Sequence, residues 1–245
     1  MTRLLVINPN TSASVSDLLQ RRVSAAAGSA HSVRTVTARF GAPYIASEAS
    51  YAVAQHATLD AWAAAYANGE RPDAVLIGCF GDPGLFALRE GAGVPVGGLA
   101  EASFLAASRR GRFAIVTGGE AWRPMLERLA WSLGYSTSLA GIHTVAPTGA
   151  QLAADPDGAR SLLAQACRDA AERFGVQAVV LGGAGLAGMA AEIAGAVPVP
   201  LIDSVDAGAD WAVAVAAARS SARGAKAAGF GIAWQSVSWE LESFG

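Results

Sequence analysis

One short pattern occurs twice in the chain, and this repeat constrains the fold more than any other feature. The stretch AVLIGCFG spans residues 74–81, and AVVLGGAG spans residues 178–185, 104 residues later. Pro43 and Pro147, each preceded by alanine, are also 104 residues apart. A Val-Pro motif recurs at Pro95 and Pro200, 105 residues apart, and the first apolar stretch of each half recurs in the same order at a spacing of 109 residues. These matches predict two copies of one unit of about a hundred residues, a normal domain size.

Each copy alternates short β-branched stretches with Ala-rich helical segments. In the first copy, LLVIN at residues 4–8 predicts a strand, and the following segment predicts a helix that is capped by Thr11 or Ser12 and ends at Gly28. Apolar strands that alternate with helices are typical of parallel sheets in α/β proteins. We therefore predict an α/β fold of two pseudo-twofold-related, flavodoxin-like (Rossmann-like) parallel-sheet lobes.

The place of the active site follows from this arrangement. Parallel sheets bind ligands beyond the carboxyl ends of their strands. Two lobes whose carboxyl edges face each other would form one cleft with two similar walls, so we expect the active site between the lobes. We expect residues 1–99 together with 207–245 to form the first lobe, and residues 100–206 to form the second.

The composition argues against several classes of partner. The net charge is −2 and charged residues are 16% of the chain, so no basic field is available for nucleic acid. The apolar runs are too short to span a bilayer, and the N-terminus begins a strand directly instead of a signal peptide. The chain has two cysteines and three isolated histidines, which predicts no metal site and no disulfide framework. We expect a cytoplasmic protein that acts on a small molecule and has no nucleic-acid or membrane partner.

Two turns at matched positions are candidates for binding this small molecule. In INPNTS, the amides of Asn8 and Asn10 and the exposed backbone N–H groups would bind an anion or a carbonyl. In VTGG, the residues Thr117, Gly118 and Gly119 would do the same in the other half. Either segment alone is also explained as ordinary turn chemistry. Their occurrence at matched places in both halves favours a binding cleft.

Cys79 is the candidate reactive residue. It ends a strand before a glycine-rich turn that we expect to open a helix, and a helix N-terminus would lower the pKa of the thiol. The alternative is a buried structural cysteine, which is how we interpret Cys167 in its apolar helical stripe. The second copy of the pattern has Gly183 where the first has Cys79.

The motifs INPNTS and GCFGDPGL, together with the repeated α/β layout, resemble the aspartate/glutamate/hydantoin racemase superfamily, and its hydantoin and allantoin racemase branch most closely. The resemblance covers essentially the whole chain. It implies an isomerase without cofactor or metal, in which one thiolate removes a proton beside a carbonyl and a second thiol reprotonates the opposite face. Cys79 matches the first cysteine, and Gly183 occupies the place of the second. The resemblance also implies that the segment from about Ala207 returns to the first lobe.

Gly183 leaves three functions open, because glycine cannot carry a proton. The first is racemisation in which water or another residue protonates the second face of the substrate. His143 is a candidate for this role, and the alternative for His143 is simple packing within a strand. A one-base reaction is the second possibility, since arylmalonate decarboxylases resemble this superfamily and keep a single cysteine, in the second half. The third is that Gly183 is an inactivating replacement, natural or engineered, which would leave a homologue that binds a small molecule without turnover.

Further site residues are expected around these cysteine positions. Backbone N–H groups of Phe80 and Ala184 would stabilise an enolate-like anion with Thr117 and Asn10. Tyr44 and Ser47 in PYIASE would form a lip of the cleft. Asp82 would either orient the site or act as the acid that caps a helix. Glu101 and Asp203 are expected to be structural. We also expect a homo-oligomer.

Overall fold

The computed structural model describes residues 2–147, 149–219 and 227–245, and it contains two four-stranded parallel sheets of identical strand order. The first sheet has the order β2-β1-β3-β4, and the second has β6-β5-β7-β8. The predicted two-lobed α/β fold is therefore confirmed. The repeat seen in the sequence appears as the same topology built twice.

The strands of the first sheet are β1 (Thr2–Asn8), β2 (His31–Thr37), β3 (Ala74–Ile77) and β4 (Val96–Gly98). The strands of the second are β5 (Phe113–Gly118), β6 (Leu139–Val145), β7 (Ala178–Gly182) and β8 (Leu201–Asp203). The helices are α1 (Ala13–Ala27), α2 (Glu48–Ala67), α3 (Leu85–Gly91), α4 (Leu99–Ser108), α5 (Trp122–Ser132), α6 (Gly149–Ala154), α7 (Pro156–Phe174), α8 (Met189–Ile193), α9 (Ser204–Arg219) and α10 (Trp239–Glu242). Short 3₁₀ turns lie at Ala184–Leu186 and Ala194–Ala196.

The central strands explain the continuous apolar runs of the sequence. Every residue of β3, β5 and β7 is buried, because helices cover both faces of each sheet. The edge strand β2 alternates exposed and half-buried residues. Cys167 lies on α7 in the hydrophobic core of the second lobe and is fully buried, as expected for a structural cysteine.

Local signals set the ends of the helices at matched places. Ser12 caps α1, and its hydroxyl accepts a hydrogen bond from the N–H of Val15. Gly84 and Gly188 lie 104 residues apart, and both adopt left-handed conformations directly before α3 and α8. These caps place each helix start at the carboxyl edge of its sheet, where the site is expected.

Two helices link the lobes. Helix α4 follows β4 of the first sheet but packs against β7 of the second and against α9. Helix α9 follows β8 of the second sheet but packs against α1, β1 and β3 of the first. The indole of Trp211 on α9 lies over Gly97, where a Cβ atom would come within 2.6 Å of the ring.

The last part of the chain packs against α2 of the first lobe. The ring of Phe244 lies 4.5 Å from that of Trp62, and the guanidinium of Arg39 bridges Asp60 and Glu240 at 2.7 and 2.8 Å. The segment from Ala207 onward thus contacts the first lobe wherever it is described, while residues 220–226 lie outside the described residues. The exact lobe boundaries stay a prediction.

Candidate active site

A cavity of about 440 Å³ opens at the carboxyl edges of both sheets. Both lobes contribute to its lining, as expected for two facing walls. The predicted site residues that line it are Asn10, Tyr44, Cys79, Phe80, Thr117, Gly118, Gly183 and Ala184. The tertiary structure therefore brings together residues that are up to 174 positions apart in the chain.

Several sequence candidates lie outside this lining, among them Ser47, Gly119 and His143. Ser47 is exposed and caps α2, where its hydroxyl accepts the N–H of Ser50. Gly119 donates its N–H to the carbonyl of Val145 next to the cavity. His143 lies within β6 and is not part of the cavity wall.

The INPNTS turn uses its two asparagines differently. Asn8 is fully buried, and its Nδ2 donates to Asn10 Oδ1, to the carbonyl of Ser12 and to Ser16 Oγ. The expectation that Asn8 binds a ligand is therefore wrong, because its amide holds the start of α1 in place. Asn10 Oδ1 also accepts the N–H of Ser12 at 2.9 Å. Both bonds fall on the oxygen, so the Nδ2 group of Asn10 is the donor that remains for a ligand.

Backbone donors lie at matched places on the two walls. Among the described residues, the N–H groups of Phe80 and Ala184, 104 positions apart, have no hydrogen-bond partner, and both residues line the cavity. Thr117 does not add a third donor, because its hydroxyl donates to the carbonyl of Gly182 at 2.8 Å. The two free N–H groups can hold a carbonyl or enolate oxygen.

Cys79 is 8% exposed, and no helix begins beside it. Helix α3 starts only at Leu85, after a turn in which Asp82 donates its N–H to the carbonyl of Cys79. Burial raises the pKa of the Cys79 thiol well above its usual value, and the negative charge of Asp82 raises it further. The expectation of a thiol pKa lowered by a helix N-terminus is therefore wrong. The structure presents a protonated thiol at neutral pH.

Asp82 caps a helix other than the one that follows it. It is 1% exposed, and its carboxylate accepts the N–H groups of Ala100 and Glu101 at 2.9 and 2.8 Å, at the start of α4. Burial raises the pKa of this carboxyl to about 7, although both backbone hydrogen bonds oppose the shift. A side chain at Gly98 would collide with the carboxylate, so this bridge requires glycine there.

The second lobe contains an equivalent bridge, but there the acid lies directly before the helix and not in the turn. Asp203 follows Gly98 by 105 residues and precedes α9, where it accepts the N–H of Val205 at 2.9 Å. It also accepts the N–H of Gly188 at 2.7 Å, which ties the turn after β7 to the start of α9. Asp203 is thus structural, as expected.

Gly183 differs from Cys79 in backbone conformation as well as in side chain. Its φ is +144°, a value that L-residues rarely adopt, whereas Cys79 has negative φ. A Cβ atom at Gly183 would meet only the side chain of Leu186, at an ordinary 3.5 Å. The wall therefore has room for a side chain, while the backbone favours glycine.

Aromatic rings close the cleft by crossing between lobes. Phe80 of the first lobe packs on Gly182 of the second, and Trp122 of the second packs on Gly81 of the first. Tyr51 donates its hydroxyl to the carbonyl of Gly81 at 2.7 Å, which secures the turn behind Cys79. A Cβ atom at either glycine would collide with the opposing ring.

Sequence reasoning missed most of the apolar lining and the one cation among the described lining residues. Residues not anticipated include Val15, Leu18, Arg21, Ile45, Trp122, Ala154 and Leu186. The spacing of Val15, Leu18 and Arg21 along one helical face was the available signal, but it is equally typical of a helix that packs on a sheet.

Two features are absent from the residues that the structure describes. No helix there is both long enough and apolar enough to cross a membrane. No group of three or more His, Cys, Asp or Glu side chains is arranged to hold a metal ion within the same ranges.

Comparisons with known proteins find relatives that match most of the chain. The family model described as Asp/Glu/Hydantoin racemase matches residues 4–212. A hydantoin racemase from a Pseudomonas species is 32% identical over 213 residues, which cover 86% of this chain and 84% of that protein. An allantoin racemase structure from Klebsiella pneumoniae superposes with a TM-score of 0.82 at 31% identity, covering 89% of both chains. A glycine-to-cysteine mutant of arylmalonate decarboxylase shares the fold, with a TM-score of 0.61 and 21% identity over 93% of this chain and 96% of that one.

Proposed function

The chain belongs to the Asp/Glu/hydantoin racemase family and is a racemase-type enzyme, and on that premise we propose that it acts on the acidic C5 carbon of a hydantoin-type substrate through a single cysteine, Cys79. The substrate class is taken from the relatives, which are named as hydantoin and allantoin racemases. The observation that carries the proposal is the Cys79 thiol in a cavity whose opposite wall bears Gly183.

The proposed reaction begins at the thiolate form of Cys79. The thiolate takes the C5 proton, and the electron pair of the broken C–H bond moves onto the neighbouring carbonyl oxygen. The resulting enolate oxygen accepts hydrogen bonds from the N–H of Phe80 or Ala184 and from Asn10 Nδ2. No cofactor enters this scheme, because the C5 proton of a hydantoin is already acidified by the adjacent carbonyl.

The fate of the enolate follows from the difference between the two walls. The thiol of Cys79 then exchanges its proton with solvent, and reprotonation from the same face gives the starting enantiomer with a solvent-derived hydrogen at C5. Inversion requires a proton donor on the Gly183 face, where glycine has no side chain to supply one, so a water molecule in the cavity would have to donate it. We therefore expect proton exchange to outpace racemisation.

A lyase of the arylmalonate decarboxylase type is the second candidate, and the state of Cys79 favours it. A buried thiol with a raised pKa is already protonated, which suits a group that donates a proton to a carbanion after CO₂ leaves. As a base, the same thiol acts only through its small thiolate fraction.

The test uses single enantiomers of 5-isobutylhydantoin and of allantoin in D₂O, with a protein-free blank. We expect deuterium at C5, measured by NMR, to appear faster than optical rotation is lost, and Cys79→Ser to abolish both. Equal rates in the wild type would mean that an efficient donor serves the second face. If neither process exceeds the blank, the hydantoin proposal fails, and CO₂ release from an arylmalonate that depends on Cys79 would then establish the lyase.

Three finer expectations belong to the proposal. Activity without added cofactor should survive exhaustive dialysis against a chelator. A cytoplasmic location is supported by the two cysteines, both of which are free. A homo-oligomer is supported by Trp131 and Trp239, which are 73% and 68% exposed, and sedimentation would test it.

A further inference from the structure

We propose that Arg21 selects substrates whose C5 substituent ends in a carboxylate. The inference rests on the proposed function, because it assigns a substituent to the hydantoin-type substrate of the same cavity. Among the described residues that line the cavity, Arg21 is the one that carries a charge.

The geometry of α1 places this cation away from the reacting end. Ser12 and Arg21 both line the cavity, and they are separated by nine residues along the helix. Nine residues span about 13 Å of helix axis. The end near Ser12 also carries Asn10 and Cys79, so the C5 carbon belongs there and Arg21 lies at the far end.

The part of α1 between these ends lines the cavity with one hydroxyl, that of Ser14, and otherwise with apolar side chains. Val15 and Leu18 lie on the same face of α1 as Arg21, and Ile45 and Leu186 add further apolar side chains to the lining. Such a passage accommodates the hydrocarbon part of a substituent but offers no partner for a charge along its length. The cation at its end is therefore positioned for the terminal group of a substituent that runs along α1.

Arg21 is available for a ligand because the described part of the chain gives it no partner. It forms no ion pair there, and neither does Asp17, one turn earlier on the same helix. Two nearby arginines lie outside the cavity lining: Arg128 pairs with Glu48 at 2.7 Å, and Arg22 lies against Gly188. A guanidinium recognises a carboxylate by two parallel N–H···O hydrogen bonds.

The test compares 5-isobutylhydantoin with 5-(2-carboxyethyl)hydantoin, which differ at the end of the substituent. The measured quantity is the ratio of kcat/KM for the carboxylate over the neutral substrate. We expect Arg21→Gln to lower this ratio about tenfold, through KM for the carboxylate, and Arg21→Lys to lower it less. In the wild type, added salt should raise KM for the carboxylate only, because salt screens an exposed charge pair.

Arg110→Gln is the matched control, because Arg110 is exposed and lies outside the cavity lining. The substitution removes one positive charge, as Arg21→Gln does. It should leave the ratio unchanged. An unchanged ratio in Arg21→Gln, or an equal fall in Arg110→Gln, overturns the proposal.

A binding measurement separates this inference from the proposed function. If no hydantoin is turned over, calorimetry with 5-(2-carboxyethyl)hydantoin still reads the charge interaction. A Kd about tenfold weaker for Arg21→Gln than for wild type supports the assignment even then. Equal Kd values, or no detectable binding to either protein, overturn it.

Discussion

The two walls of the cleft are copies of one another in topology, and they differ at the position that holds Cys79 in one and Gly183 in the other. Both walls present a strand end, a turn with a free N–H and a left-handed glycine before a short helix. The first wall adds the thiol of Cys79, whereas the second has Gly183 with a φ of +144°. The second wall has therefore departed in backbone conformation as well as in side chain.

We infer from this difference that the backbone donors of the repeat are separable from its proposed proton carrier. The donors at Phe80 and Ala184 come from the backbone, so they persist when the neighbouring side chain is lost. A proton carrier depends on one side chain and disappears with it. The following experiments test this separation, beginning with the largest expected effect.

Removing the Cys79 thiol should remove the chemical difference between the two walls. We expect Cys79→Ser to slow C5 deuterium exchange by about 10²–10⁴-fold, the usual contribution of a general acid–base group, because a serine hydroxyl ionises far less readily than a thiol. Exchange is read by NMR in D₂O. Cys167→Ala, which removes the buried thiol of α7, should keep exchange within about twofold. Exchange that survives in Cys79→Ser would show that the first wall is not the reactive one.

The pH dependence should reveal whether Cys79 acts as a base or as an acid. Burial and Asp82 raise the pKa of its thiol, so the thiolate fraction grows about tenfold per pH unit until pH reaches that pKa. For proton abstraction, kcat/KM should rise with this slope from pH 6 to 9, after subtraction of the blank. A rate that is flat over this range would favour proton donation, the lyase alternative.

Placing a thiol in the second wall should make the two walls chemically more alike. We expect Gly183→Cys to raise the ratio of racemisation to exchange about tenfold, because the new thiol can protonate the opposite face. The cysteine at position 183 would have to adopt the φ of +144° that glycine has there, so the free energy of unfolding should fall by about 1–3 kcal/mol. Gly183→Ala is the matched control: it should show a similar stability loss by urea denaturation without the gain in racemisation. A gain in both variants would rule out the thiol as its cause.

The two buried acids should differ in their effect on the reactive wall. Asp82→Asn removes the charge that raises the Cys79 pKa, so the activity profile should move to lower pH, while Asp203→Asn should leave it in place. Asp82 has a folded-state pKa of about 7 against a usual 3.8, so the folded protein holds a proton that the unfolded chain releases. Stability therefore falls as pH rises from about 4 to 7, by on the order of 2–4 kcal/mol.

Thermal unfolding across this pH range checks the stability effect. The loss of stability between about pH 4 and pH 7 should be smaller in Asp82→Asn. It should persist in Asp17→Asn, which changes an exposed acid on α1. If Asp82→Asn retains the full pH dependence, the charge of Asp82 is not its source.

The sequence predicted the architecture well because its signals are local and repeated. Strand composition, capping residues such as Ser12 and the 104-residue spacing of Cys79 and Gly183 gave the two lobes and the position of the cleft. The same reasoning failed for the electrostatics of Cys79. It assumed a helix directly after the turn, whereas burial and the distant capping of α4 by Asp82 control the thiol.

The division between the two levels has a physical reason. Hydrophobic periodicity and turn chemistry act over a few residues, so the sequence by itself determined the order of strands and helices and the place of Cys79 at a strand end. Contacts between distant segments decided the rest: the packing of α4 and α9 across the lobes, the hydroxyl of Thr117 turned to Gly182, and the exposure of Arg21 to the cavity. Such contacts depend on which surfaces meet when two lobes close, and no local pattern encodes that meeting.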